Sequence, residues 1–199
     1  MKNYTCICVF ASGGGGNFKY LVENKIRGKF EIIALVVDRE CDAVEIAREN
    51  DIPIIEIENK NGFLNFEQLL NLKEIILSNI IILAGFIPIV PPLFIKKYKK
   101  YILNTHPSLL PSHGGKGMYG VKVQESVIKA RDRFAGCSCH IVDEGIDTGE
   151  IICQKKIGVD PKWSAWELGG EVFLLEGPNL MNAIQLLDLT NKYIIKEDL

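Results

Sequence analysis

Apolar positions along the chain fall into two alternating rhythms. Short runs rich in β-branched residues, at Tyr4 to Ala11, Phe30 to Val37, Ile54 to Ile57, Ile80 to Ala84 and Tyr101 to Asn104, predict strands. Helix-spaced stretches at Asn17 to Lys25, Asp42 to Asn50 and Phe63 to Leu77 lie between the first four of these runs, while a segment punctuated by Pro88, Pro91 and Pro92 precedes the fifth. Strand and helix in alternation imply crossover units and a mostly parallel sheet covered on both faces. After His106 the rhythm changes. A loop rich in Gly and Ser, Pro107 to Gly120, leads into a helix at Lys122 to Arg131. Strands at Ala135 to Val142 and Glu150 to Val159 follow, and a last helix runs over Ser164 to Thr190, with a break or kink expected near Gly177 and Pro178. The expectation is a single α/β domain over residues 1–199, Rossmann-like, with a central mostly parallel sheet flanked by helices.

Composition narrows the class. With 47% apolar and 24% charged residues over 199 positions, the chain can bury a full core, which excludes disorder. A net charge of −2 offers no broad basic surface for nucleic acid, and the short cluster Lys96, Lys97, Lys99 and Lys100 reads as a solvated helix end. No apolar run reaches the ~20 residues a membrane span requires, so no membrane partner is expected. Cys6 and Cys8, like Cys137 and Cys139, alternate within strands as small core residues, and neither pair has zinc-knuckle spacing. A reducing cytoplasm and no metal are the expectation.

Three constellations carry possible chemistry. Ser12-Gly13-Gly14-Gly15-Gly16-Asn17 joins the first strand to the first helix, where glycines free backbone amides to meet an anion at a helix N-terminus. The run lacks the lysine of a P-loop, and Phe18 stands where a dinucleotide fold has its last glycine, so a single phosphate on a small ligand fits better than ATP or NAD. A flexible turn with Asn17 as helix cap is the plain alternative. Asn104-Thr105-His106-Pro107 falls at the end of a central strand, where open parallel sheets place ligands. Alternation sets Asn104 and His106 on one side, an amide donor and an imidazole suited to the oxyanion and proton of acyl transfer. Asp143-Glu144-Gly145-Ile146-Asp147-Thr148-Gly149 is an acidic turn between two strands, read either as an ordinary hairpin or as the source of a carboxylate beside the histidine.

Taken in this order, the three motifs resemble the folate-dependent formyltransferase family over essentially the whole chain, in its branch acting on glycinamide ribonucleotide. Asn104 to Pro111 and the Asp147 loop carry most of the likeness, with Ala84-Gly85-Phe86 and Gly136 to Val142 in support. The resemblance implies that Asn104 stabilises an oxyanion, His106 acts as general acid and base, and Asp147 raises the basicity of the histidine. It further implies a phosphate and ribose site from Gly14, Gly15, Gly16, Asn17 and Glu176. The site for 10-formyltetrahydrofolate, the co-substrate, would be lined by Ile87, Pro88, Ile89, Val90, Asn104, Asp143 and Ile146.

The sequence departs from the family pattern in places. Gly14 and Gly16 replace an asparagine and a serine of the family loop, leaving only backbone donors there, and Pro88 stands where an arginine is common. A second arginine, associated with the folate tail, is absent near Phe63. His113 to Gly120 is glycine-rich enough for a mobile lid, with Lys116 in reach of a phosphate or folate glutamate, or else a structural loop. Methionyl-tRNA formyltransferases add a C-terminal RNA-binding domain and formyltetrahydrofolate deformylases an N-terminal one. With a first strand at Tyr4 and a short tail after the last helix, the stand-alone enzyme is expected, as monomer or homodimer. Alternatives are a formyltransferase for an amino sugar nucleotide and a folate- or nucleotide-binding module without catalysis.

Overall fold

The structure is a computed structural model, and it describes residues 4–60, 63–98 and 101–194. In chain order the strands are β1 (Thr5–Ala11), β2 (Phe30–Val37), β3 (Ile54–Glu56), β4 (Asn59–Lys60), β5 (Phe63–Leu64), β6 (Ile80–Leu83), β7 (Tyr101–His106), β8 (Phe134–Ile141) and β9 (Ile151–Gly158). The helices are α1 (Gly16–Gly28), α2 (Asp42–Glu49), α3 (Phe66–Leu69), α4 (Lys73–Leu77), α5 (Pro92–Tyr98), α6 (Val121–Ala130) and α7 (Ala165–Ile194). Seven strands form a sheet in the order β3-β2-β1-β6-β7-β8-β9. β1 pairs in parallel with β2 and β6, β2 with β3 and β6 with β7, while β8 and β9 are antiparallel. The expected α/β fold with a central mostly parallel sheet is the one observed.

The chain condenses into two compact units, one up to Asn104 and one from Thr105 onward. In the first, β1 and β6 are apolar on both sides because helices leave neither face to water, and Ile7, Phe10, Phe18, Leu35, Ile80, Ile81 and Ile82 are fully buried. Each such side chain contributes about 1.5–3 kcal/mol relative to exposure. Phe10 meets Phe86 edge-on at 5.4 Å, and Phe66 meets Phe94 at 5.5 Å, so an aromatic cluster supports the chain just after β6. In the second unit, α6 and α7 close over the β8–β9 hairpin through Val127, Ala135, Cys137, Leu168 and Val172.

Three elements differ from their expected form. The stretch Phe63 to Leu77 is a short strand and two short helices, since Asn65 (φ −85°, ψ 77°) and the extended Leu72 (φ −78°, ψ 136°) interrupt it. Asn65 and Asn71 flank the first helical turn, and asparagine side chains compete with helical hydrogen bonds, which apolar spacing alone does not register. The proline-punctuated stretch contains α5, with Pro92 in its first position, where a missing amide costs nothing. Pro178 lies inside a helix assigned without interruption from Ala165 to Ile194. The carbonyl four residues back belongs to Leu174, on an exposed stretch where water can replace the lost donor. Lys96 and Lys97 occupy the last turn of α5 as exposed residues, and Lys99 and Lys100 lie outside the described residues.

Candidate active site

His106 closes β7 and is 4% exposed. Its Nε2 lies 3.0 Å from the carbonyl oxygen of His113. A carbonyl only accepts, so Nε2 carries hydrogen and donates, and Nδ1 is left facing Asp147 Oδ2 at 3.5 Å. On the other side Asp147 Oδ1 lies 3.6 Å from His140 Nε2, while His140 Nδ1 donates to the Ile141 carbonyl at 2.9 Å. One carboxylate therefore stands between two imidazoles whose far nitrogens are each committed to a backbone carbonyl. The near nitrogen of either ring repels the carboxylate as a lone pair and attracts it as an N–H group.

The carboxyl of Asp147 is held below its ordinary range. Burial is the largest single influence and acts the other way, but the hydrogen bond from His140, the Gly115 amide at 2.9 Å and the charge of the histidines together outweigh it. Backbone conformation delivers the side chain. Asp147 has φ 56°, in the left-handed region that aspartate tolerates better than most residues. Asp143 Oδ1 accepts from the Gly145 amide at 3.0 Å and the Thr148 hydroxyl at 2.7 Å, so the acidic turn is bonded within itself. Behind His106, Ser138 Oγ donates to the Ser108 carbonyl at 2.6 Å and accepts from the Leu110 amide at 2.9 Å, tying the Pro107 to Pro111 turn to β8.

In the first unit the glycine run leads from β1 into α1. Gly15 is the helix cap, with φ 69° and no room for a Cβ, which would approach Ala43 Cα within 2.8 Å. A glycine is required there on both counts. No side chain caps this helix end, so the cap role considered for Asn17 falls to the backbone of Gly15. The N-terminus of α1 that follows is the electropositive end of the helix, and the Asp42 carboxylate lies beside Gly14. Ser12 fastens the segment after β6 to this loop: its amide donates to the Gly85 carbonyl at 3.3 Å and its hydroxyl accepts from the Ile87 amide at 3.0 Å. Ile87 and Ile89 are exposed there and Val90 is buried. Asn104, half-buried on β7, pairs in register with Leu83.

Comparison with known proteins gives this arrangement a family. The model described as "Formyl transferase" matches residues 5–184. The chain belongs to the formyl transferase family. Among curated formyl transferases, the chloroplastic phosphoribosylglycinamide formyltransferase of Vigna unguiculata is 34% identical over 187 residues, covering 91% of this chain and 60% of that protein. The Arabidopsis thaliana protein of the same name is 35% identical over 161 residues, covering 77% of this chain and 55% of that one. The chain thus spans 55–60% of the length of these plant relatives. Among solved structures, phosphoribosylglycinamide formyltransferase from Anaplasma phagocytophilum superposes with TM-score 0.83 at 27% identity, covering 93% of this chain and 87% of that one. Glycinamide ribonucleotide transformylase 1 from Geobacillus kaustophilus gives TM-score 0.79 at 29% identity, covering 93% and 99%.

Within this formyl transferase the second unit brings His106 and Asp147 together as the motifs suggested, and Asp143 and Ile146 lie on the same turn, exposed. Gly14, Gly15, Gly16 and Asn17 and the stretch Ile87, Pro88, Ile89 and Val90 are gathered by Ser12 in the first unit. Glu176 is buried at 8% exposure on α7, and its charge, after burial itself, helps push the Cys137 thiol up to about 12. Two histidines escaped the sequence reading. His140 sits in a mostly buried strand beside small residues, where only its place on the Asp147 side of the hairpin could have singled it out. His113 lies in a glycine-rich loop whose conformation no local pattern specifies. Among the described residues no helix is long and apolar enough to cross a membrane, and no group of acidic, His and Cys side chains could hold a metal ion.

Proposed function

We propose that residues 1–199 act as a single formyltransferase domain, moving the formyl group of 10-formyltetrahydrofolate onto the amine of glycinamide ribonucleotide in de novo purine biosynthesis. The observation that carries this reading is the His106–Asp147 pair at the end of β7 in a chain of the formyl transferase family. Solved structures similar to it bear the names of enzymes for that acceptor. The amine attacks the formyl carbon directly. Asn104 stabilises the oxygen that gains negative charge, and His106 moves the proton from the amine toward the departing nitrogen, with Asp147 holding the cationic ring. The reading uses no nucleophile: among the described residues Cys137 is a buried thiol pushed up to about 12, Cys153, though its pKa is lowered by its hydrogen bond with Cys139, directs its Sγ to the Asn179 carbonyl at 3.4 Å, and Ser108 donates its hydroxyl to the Ser112 carbonyl at 2.6 Å.

The glycine loop holds the acceptor phosphate by backbone amides, and Glu176 holds its ribose. The folate ring system lies against Ile87 to Val90, whose exposed isoleucines suit a flat ring, and against the turn of Asp143 and Ile146. Among the described residues the six cysteines form no disulfide, which fits a reducing compartment, and we assign the protein to the cytoplasm. The deciding experiment is turnover with 10-formyltetrahydrofolate and glycinamide ribonucleotide, run beside an amino sugar nucleotide and methionyl-tRNA. Turnover of glycinamide ribonucleotide alone is expected, and preference for either other acceptor overturns the assignment.

A further inference from the structure

We propose that His113 is a positioning residue, whose side chain pins the loop that fixes the tautomer and placement of the His106–Asp147 pair. The inference rests on the catalytic reading of that pair and goes beyond it to a residue that touches neither substrate.

The segment 113–115 holds both members of the pair through its backbone. The carbonyl of His113 accepts from His106 Nε2 at 3.0 Å, and the amide of Gly115 donates to Asp147 Oδ2 at 2.9 Å. Between them Gly114 is tightly packed, since a Cβ there would displace the end of the Leu110 side chain and approach Asp147 Cβ within 3.3 Å. This backbone is unfavourable at His113, whose φ of 55° lies in the left-handed region, while at position 115 glycine takes a φ of 95° without that cost. A conformation of that kind persists only where its surroundings hold it.

The side chain of His113 supplies the hold. Its Nε2 donates to Asp132 Oδ2 at 2.7 Å, and its Nδ1 lies 2.8 Å from Ser126 Oγ, which donates to it. Ser126 is on α6 and Asp132 follows the end of that helix, so the ring ties the loop to a rigid element at two points. Both ring nitrogens are satisfied and the side chain is 13% exposed, so little freedom remains. The consequence for His106 is chemical. A carbonyl fixed on Nε2 keeps hydrogen on that nitrogen, which makes Nδ1, on the Asp147 side, the nitrogen that takes and returns the proton. Loosening the loop lets the ring exchange tautomers and the carboxylate lose its amide donor.

Four variants in the full chain test this: His113→Phe, Asp132→Asn, Ser126→Ala and, as a control on the catalytic reading, His106→Asn. His113→Phe is expected to lower kcat about ten- to a hundred-fold, with the KM of either substrate changed less than about two-fold, as befits a misplaced group. Asp132→Asn, which leaves the ring and an acceptor in place, is expected to lose less. Nitrogen-15 NMR of the histidine rings gives a readout independent of turnover: in the parent chain the His106 Nε2 proton exchanges slowly with solvent, and in His113→Phe it exchanges fast. If His113→Phe keeps the parent kcat, pH profile and slow exchange while His106→Asn is inactive, the positioning role is overturned and the catalytic reading stands. If His106→Asn turns over at the parent rate, both fall. Should His113→Phe fail to fold, Asp132→Asn and Ser126→Ala decide by the same measurements, and unchanged exchange in both overturns the proposal.

Discussion

At the scale of single residues, the chemistry gathers on Asp147. Its ionised form is favoured in the folded chain, so its contribution to stability is present above the ordinary carboxylate range and is lost as pH falls through the depressed value. The melting temperature of Asp147→Asn should therefore lie below that of the parent near neutral pH, and the gap should close as the solution is acidified; a gap independent of pH would contradict the depressed carboxyl. The same substitution removes the carboxylate that faces His106 Nδ1, so the rate and its pH profile should change, and an unaltered rate and profile would remove Asp147 from the mechanism. Asn104→Ala should cost about 10²–10³ in kcat by removing a donor to the developing oxyanion. At Gly15 the effect should fall on the other substrate. A valine there meets both the positive φ of 69° and Ala43 Cα at 2.8 Å, so Gly15→Val should raise the acceptor KM more than the folate KM, as steady-state kinetics would show.

At the scale of elements, the long regular pieces were legible because apolar periodicity reports burial directly. β2 matches its expected span of Phe30 to Val37, and α1, α2, α6, β8 and β9 fall within a few residues of theirs. What was not legible depends on contacts that no local pattern carries. The Phe63 to Leu77 stretch keeps helical spacing through a chain that turns extended at Leu72, and α5 hides behind three prolines. The site divides the same way. His106 and Asp147 announced themselves by residue type at a strand end and a turn, whereas His113 and His140 matter through a tertiary fold of the loop and the hairpin. On α7, Glu176 is a buried carboxylate in an apolar helix, which a packing role alone does not require. Glu176→Ala should weaken acceptor binding by about 1–3 kcal/mol if it holds ribose hydroxyls; an unchanged acceptor KM would leave it without that role.

At the scale of the whole molecule, the acceptor must be recognised without a strong electrostatic field, since the formal net charge is only −2. In the proposed function backbone amides of the glycine loop carry the phosphate, so glycinamide riboside lacking the phosphate should be a poor substrate, and equal turnover of the two would remove the loop from the site. The row of His140, Asp147 and His106 has a further consequence, written in protons rather than in rates. Asp147 owes its ionised form to the groups around it, the Gly115 amide and the two rings, so its charge answers to whatever changes their field. Any ligand that alters the field along the row changes how many protons the protein carries, and the solution must supply or absorb the difference. The heat of binding the formyl donor should therefore depend on the ionisation heat of the buffer, with a slope that counts the protons exchanged, and in Asp147→Asn that slope should change.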